Sequence, residues 1–268
     1  SNEEFKKIPA GVKVIGMRWV HTDKNAKLRV PKTVTANLPI LAKSRCVVLG
    51  CQEDKKDFRT DSPTASLLAF NFTCVALAVL GFDPKMADAD SAYLQGFGIE
   101  RLLILRAPNP PPPGTRVGQL YRAKASIYGT GAAGRGWWKK LHSIFVRLGW
   151  IQSHLEHCLY YLWHEGYLVG IDLAWVDDLF GGGDESNETY VENIAEMVLE
   201  IHLKVKESSG IFCGKTVERL SNKSIYICTS QKPLTPWRPS SCQSTAARTA
   251  NRVLPLMKSA AFVVEMVR

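Results

Sequence analysis

The sequence predicts an α+β fold, and three observations carry that expectation. Short apolar runs with strand-like composition are interleaved with three longer segments of helical spacing. The strands follow one another as hairpins rather than at the regular intervals of βαβ units. The 268 residues are 46% hydrophobic and 22% charged, an ordinary globular balance with enough length to bury a core.

The elements follow in order. Residues 16–21 alternate as a strand, with Asp23 to Ala26 as its turn, and residues 30–41 read as a loop because they hold two prolines among small polar residues. Residues 43–50 form the next strand. Ser62-Pro63-Thr64 is expected to open a helix that runs to Leu80 and, being apolar nearly all round, to be buried. A strand at residues 86–89 leads into Asp90, another spans 102–105, and the prolines between 108 and 113 make a stiff connection.

Trp137, Leu141, Ile144, Phe145 and Leu148 keep helical spacing up to Gly149, which suits a helix C-terminus. Residues 159–163 and 168–176 are strands, the second nearly all apolar. It runs into Asp177-Asp178, returns through Leu179-Phe180 and ends in three glycines. Ser186 can cap a helix whose apolar stripe is Val191, Ile194, Val198 and Leu199. Short strands follow at about 203–206, 211–213 and 225–228. From residue 232 onward Ser, Thr, Pro and Ala dominate, with six Lys or Arg residues against one acid, Glu265.

Lys and Arg number 34 against 25 Asp and Glu, a net charge of +9 that favours a polyanionic partner. No apolar run reaches the roughly 18 residues of a membrane span, and the first residues have no apolar leader stretch. A soluble, intracellular chain with no membrane partner is expected. The seven cysteines show no CxxC pair, which argues against a disulfide framework or a zinc ribbon. His154, His157 and Cys158 cluster in sequence but read as ordinary surface and core residues.

Two adjacent aspartates at the end of an apolar strand repel one another unless a cation intervenes. Mg²⁺ is held by one or two carboxylates together with substrate phosphates. Asp88, ending another short apolar strand, is the candidate third carboxylate for a two-metal site of phosphoryl transfer. An Asp-Asp pair by itself is weak evidence and more often marks a solvated hairpin tip.

The order of the neighbouring motifs resembles the reverse transcriptase of copia-type LTR retrotransposons over residues 8–230. Ile8-Pro9, Lys13 and Trp19-Val20 look like the opening of that domain. Lys43-Ser44-Arg45-Cys46-Val47 resembles its KARLV element and Ser62-Pro63-Thr64 its SPV element. The stretch from Met86 to Gly96 is similar to MDVKTAFLNG with one insertion. Ser126-Ile127-Tyr128-Gly129 through Arg135 and Trp137 resembles SLYGLKQAPRxW. Ser153, His157-Cys158 and Tyr160 match S..DHC.Y, and Trp175-Val176-Asp177-Asp178 stands where YVDD is usual.

The resemblance implies a right-hand polymerase fold with fingers and palm over residues 1–230, a truncated or absent thumb, and a basic segment of uncertain structure over 231–268. It implies an RNA-directed DNA polymerase, a nucleotidyltransferase of a transposable element, that extends a primer on an RNA or DNA template with dNTPs. Asp88, Asp177 and Asp178 would be the catalytic carboxylates and the ligands of Mg²⁺ (or Mn²⁺). Lys43 and Arg45 would reach the triphosphate, Ala89 and its backbone would line it, and Tyr93 would be the aromatic gate under the sugar. By lineage the chain would act in a cytoplasmic particle or the nucleus. Trp175 departs from the usual Tyr, and Ala132 and Gly134 replace the Gln and Pro of the QAP element. The altered QAP element and the missing thumb favour the alternative of a decayed domain that only binds nucleic acid; the retained carboxylates favour catalysis. An unrelated basic hydrolase with a carboxylate cluster would instead cleave nucleic acid without dNTPs.

Overall fold

The structure, a computed structural model, describes residues 8–207, 209–221, 224–228 and 262–264. In chain order β1 (Val14–Asp23) and β2 (Ala42–Val48) precede α1 (Leu67–Leu80), β3 (Lys85–Ala89), the short α2 (Ala92–Gln95), β4 (Ile104–Arg106), β5 (Leu120–Arg122) and α3 (Ala133–Arg147). Then come β6 (Ile151–Gln152), β7 (Leu159–His164), β8 (Tyr167–Trp175), β9 (Asp178–Gly183), α4 (Glu188–Ile201) and β10 (Leu203–Glu207). The last are β11 (Ser209–Phe212), β12 (Lys215–Arg219), β13 (Ile225–Cys228) and β14 (Phe262–Val264). The class is mixed α+β, built from hairpins. Apart from β14, the basic segment 231–268 and the expected loss of a thumb lie outside the described residues.

Contacts divide the chain into two units, residues 1–63 with 91–144 and residues 64–90 with 145–268. In the first unit the sheet runs β2-β1-β4-β5, with β1 antiparallel to β2 and parallel to β4. Ile15, Val48, Leu103, Leu105 and Ala123 are its buried core, with Met17, Leu49 and Tyr121 packed against them. The long connection from β1 to β2 has neither helix nor strand, as its prolines predict. Asp23 closes its base, accepting from the amides of Asn25 and Leu41 at 3.0 Å each and pairing with Arg29.

The second unit is organised on a six-stranded antiparallel sheet, β10-β3-β9-β8-β7-β6, with a further sheet β11-β12-β13-β14. Along β9 the residues alternate between faces. Phe180 meets Phe70 of α1 on one face, with ring centroids 5.2 Å apart. On the other face Tyr190 of α4 lies so close to Gly183 that any Cβ there would collide with its ring, while a Cβ at Gly182 would run into the Asp83 carbonyl and Leu77 of α1. The glycine run therefore lets both helices close on the sheet.

Several sequence expectations shift here. α1 starts at Leu67 rather than at Ser62, because Ser66 is the residue whose side chain accepts the Ala69 amide, at 3.1 Å. Nor is α1 buried all round: Ala69, Phe70, Thr73, Cys74 and Leu77 face inward, while Leu68, Phe72, Val75 and Val79 are exposed. Ser186 does not cap α4. Asp184 takes both its amide and its hydroxyl, at 2.9 and 2.6 Å, and Asn187 caps Tyr190 instead. The buried residues of α4 are Tyr190, Met197 and Ile201, whereas Val191 and Leu199 are exposed. Tyr190 starts a stripe at i, i+7 and i+11 that a purely aliphatic reading overlooks. α3 does end as expected: the Gly149 amide bonds to Val146 and the Trp150 amide to Phe145, the paired bonds of a Schellman closure, with the Phe145 and Trp150 rings in edge contact.

Candidate active site

Asp88 and Asp178 reach one place through strand register. β3 and β9 pair antiparallel with Asp88 directly opposite Asp178, so both side chains leave the same face of the sheet, with Cα atoms about 4.5–5.5 Å apart. The tip that carries Asp177 is a two-residue turn, Val176-Asp177, closed by the pair Trp175 and Asp178. Val176 has φ +56°, a left-handed conformation that a β-branched residue rarely adopts. Such strain costs about 1–3 kcal/mol and persists only where the surroundings hold it. Part of that hold is the Ala89 amide, which donates to the Asp177 carbonyl at 2.8 Å. Ala89 is buried, and its N–H is spent on the hairpin, so it does not offer that N–H to a phosphate.

The carboxylates crowd one another. Burial pushes the Asp178 carboxyl up to about 6, and the charges of Asp177 and Asp88 push in the same direction, against a smaller opposing pull from Lys206. Sequence reasoning missed Lys206. It lies on β10, which pairs with β3, and only that pairing brings it near Asp178. Lys204 stands opposite Asp88 in the same ladder, yet its ammonium binds Asp90 at 2.6 and 2.5 Å. Cys213, at the β11–β12 turn, is also close. Its thiol is raised to about 12, first by burial and then by Asp178, with Asp177 adding to it against Lys215.

A divalent cation suits this donor set. The oxygens are hard, three negative charges gather where one carboxyl is already held above its ordinary range, and a bound cation would relieve that repulsion. Among the described residues, no three His, Cys, Asp or Glu side chains close into a ready-made cage. Mg²⁺ rarely uses such a cage, since it keeps waters and substrate oxygens among its ligands. Asp88, Asp177 and Asp178 therefore fit as holders of an ion whose shell a substrate completes.

Lys43, Arg45 and Tyr93 belong to the first unit. Arg45 lies over the Tyr128 ring, 5.7 Å from its centroid, and Tyr93 packs on the same ring at 5.2 Å. Tyr128, part of the Ser126–Gly129 motif but given no role from sequence, thus joins two of the expected substrate residues. Lys43 sits two positions before Arg45 on the same face of β2, half-buried, with its carbonyl accepting the Thr22 hydroxyl at 3.2 Å.

A family model described as reverse transcriptase (RNA-dependent DNA polymerase) matches residues 3–228. No curated protein matches the chain.

Proposed function

The chain belongs to this reverse transcriptase family, the one typical of copia-type retrotransposons, and from that membership we propose that it is an RNA-directed DNA polymerase domain extending a primer 3′-hydroxyl with dNTPs. The observation that carries the reading is the pairing of Asp88 with Asp178 beside Asp177, in a site where burial and like charge hold one carboxyl up to about 6. In a right-hand polymerase the six-stranded sheet would be the palm and the β2-β1-β4-β5 sheet the fingers.

Asp88, Asp177 and Asp178 hold the divalent ions in this reading. Bound there, Mg²⁺ (or Mn²⁺) supplies charge stabilisation for the attacking and leaving oxygens of an in-line displacement. The chain's own residues do the rest. Their carboxylates make the site selective for cations and set its demand for near-neutral pH. Arg45 and Lys43 offer charge-assisted contacts to the triphosphate, with Arg45 steadied on Tyr128. Tyr93 presents an aromatic edge under the sugar and disfavours a 2′-hydroxyl. Primer and template are held mainly through their backbones, so affinity falls with salt.

Primer extension on an RNA template with Mg²⁺ or Mn²⁺ and dNTPs tests the proposal, run beside the Asp177→Asn/Asp178→Asn double variant. Extension by the parent chain alone supports it. Primer–template binding without extension would overturn it in favour of a binding domain that has lost catalysis, the reading that Ala132 and Gly134 favour.

A further inference from the structure

In the second unit, α1 carries an apolar face that is left over once its own packing is complete. Inward, Phe70 meets the rings of Phe180 and Phe212, with centroids 5.2 and 5.7 Å away, and Cys74 and Leu77 are fully buried. Both ends of the helix are closed as well. The Ser66 hydroxyl accepts the Ala69 amide, and the Ser66 amide donates to the Glu156 carboxylate at 3.0 Å. At the other end the Gly81 and Phe82 amides return to the Leu77 carbonyl. Outward, Leu67, Leu68, Phe72, Val75, Val79 and Leu80 are exposed by between 41% and 78%.

Spacing and charge distinguish this face from an ordinary helix surface. Leu68, Phe72, Val75 and Val79 follow one another at intervals of four, three and four residues. That rhythm keeps them in line along the helix and is the seam that packs one helix against another. A solvated helix face ordinarily carries charge, as α3 and α4 do with Arg147 and Glu196 on their exposed sides. None of the 14 residues of α1 is charged. Such a face offers a charged partner nothing to recognise, and a second copy of itself nothing to repel.

We propose that α1 is a dimerisation helix, through which two copies of the chain pair antiparallel about a two-fold axis. A two-fold contact is self-complementary. Centred on the seam, the axis sets Phe72 against the partner's Val75 and Leu68 against the partner's Val79, and each contact occurs twice. The antiparallel arrangement also opposes the two helix dipoles. The exposed side chains of both copies together bury on the order of 1,000 Å², the lower bound of a specific interface. The dimer is therefore one of about micromolar affinity that dissociates on dilution. It rests on α1 alone and holds whether or not the chain extends primers.

Sedimentation velocity on the full chain over a dilution series tests the proposal. The parent should run as a dimer when concentrated and as a monomer when dilute, with no larger species. Phe72→Glu and Val75→Glu each put a charge from both copies into the seam and should raise the dimer Kd on the order of 100-fold. Both side chains point to solvent, so the circular dichroism of each variant should match the parent's. Phe72→Lys/Val75→Glu should restore the dimer, because opposite charges then meet across the axis. Leu199→Glu changes an equally apolar, 76% exposed position on α4 and should leave Kd unchanged. A parent that is monomeric at every concentration, or a dimer that Phe72→Glu and Val75→Glu leave as tight as before, would overturn the proposal. So would equal weakening by Leu199→Glu, which would mark nonspecific association, and a charge-paired double variant no tighter than Val75→Glu would overturn the antiparallel pairing.

Discussion

Asp178 and Asp172 stand on opposite faces of one sheet, and burial comes first in holding both carboxyls above the ordinary range, but only Asp178 has neighbouring carboxylates that add to it. Asp172 pairs with Gly181 across β8 and β9, three positions from Asp178 along β9, so its side chain leaves the face covered by α4. There it lines a cavity of about 30 Å³ with Tyr190, Ile194 and Met197, and its Oδ1 has no hydrogen-bond partner among the described residues. Burial pushes it up to about 8, and the Leu173 amide only partly offsets that. Asp178 is half-buried at the start of β9, and to its burial are added two neighbouring carboxylates. A cation can answer the second situation and cannot reach the first. A raised carboxyl thus points to a site where like charges that a ligand could relieve are added to its burial.

The sharpest way to break this comparison is to neutralise each acid in turn. Asp88→Asn should lower primer extension on an RNA template on the order of 10³-fold, whereas Asp172→Asn should leave it within about twofold. Equal losses would mean that the α4 face takes part in the chemistry.

Stability should report the reverse order. With its carboxyl up to about 8 in the fold against an ordinary 3.8, Asp172 contributes fully only below about pH 4. That contribution drains away as the pH climbs toward 8. The gain in Tm from Asp172→Asn should therefore be near zero at pH 4, grow to on the order of 5 °C at pH 8, and level off above. A constant gain across that range would show that the carboxyl does not titrate.

For Asp178 the same sign holds over a narrower window, because its carboxyl is up to about 6: ionisation costs the fold stability between about pH 4 and 6. Adding Mg²⁺ at pH 7.5 should recover some of it and raise Tm by about 3 °C. The effect should fade as the pH drops through 6, vanish in Asp177→Asn/Asp178→Asn and persist in Asp172→Asn. Differential scanning fluorimetry over pH and Mg²⁺ reads all four cases.

The smallest expected effect concerns the turn. Positions of two-residue hairpin turns with positive φ favour Asn or Gly, so Val176→Asn should relieve about 1 kcal/mol and raise Tm by roughly 2 °C. A fall in Tm would show that the Val176 side chain contributes packing that outweighs its strain.

Much of the site was legible without coordinates. Asp177-Asp178 announces itself because an apolar strand ends there, and Asp88 because a second one does; these are local patterns of period and charge. Strand positions near residues 86–89, 159–163 and 168–176 follow from the same local logic. Less legible were α2, β5, β6 and β12, each a short element with too few residues for periodicity to speak. Helix starts were displaced for a related reason, since Ser62 and Ser66, or Ser186 and Asn187, are competing caps of similar chemistry. The winner is decided by which side chain meets the orphan amide.

By itself the sequence determined an α+β chain of +9 charge, its motif order, and which residues could carry metal chemistry. Only the tertiary structure decided that Asp88 faces Asp178, that Lys206 lies near them, and that α1 keeps one apolar face outside. The physical reason is that composition and period act within a few residues of chain, whereas strand register and helix facing arise from pairing between distant segments. A shift of one residue in strand register sends every side chain to the opposite face, and one residue along a helix turns each by about 100°.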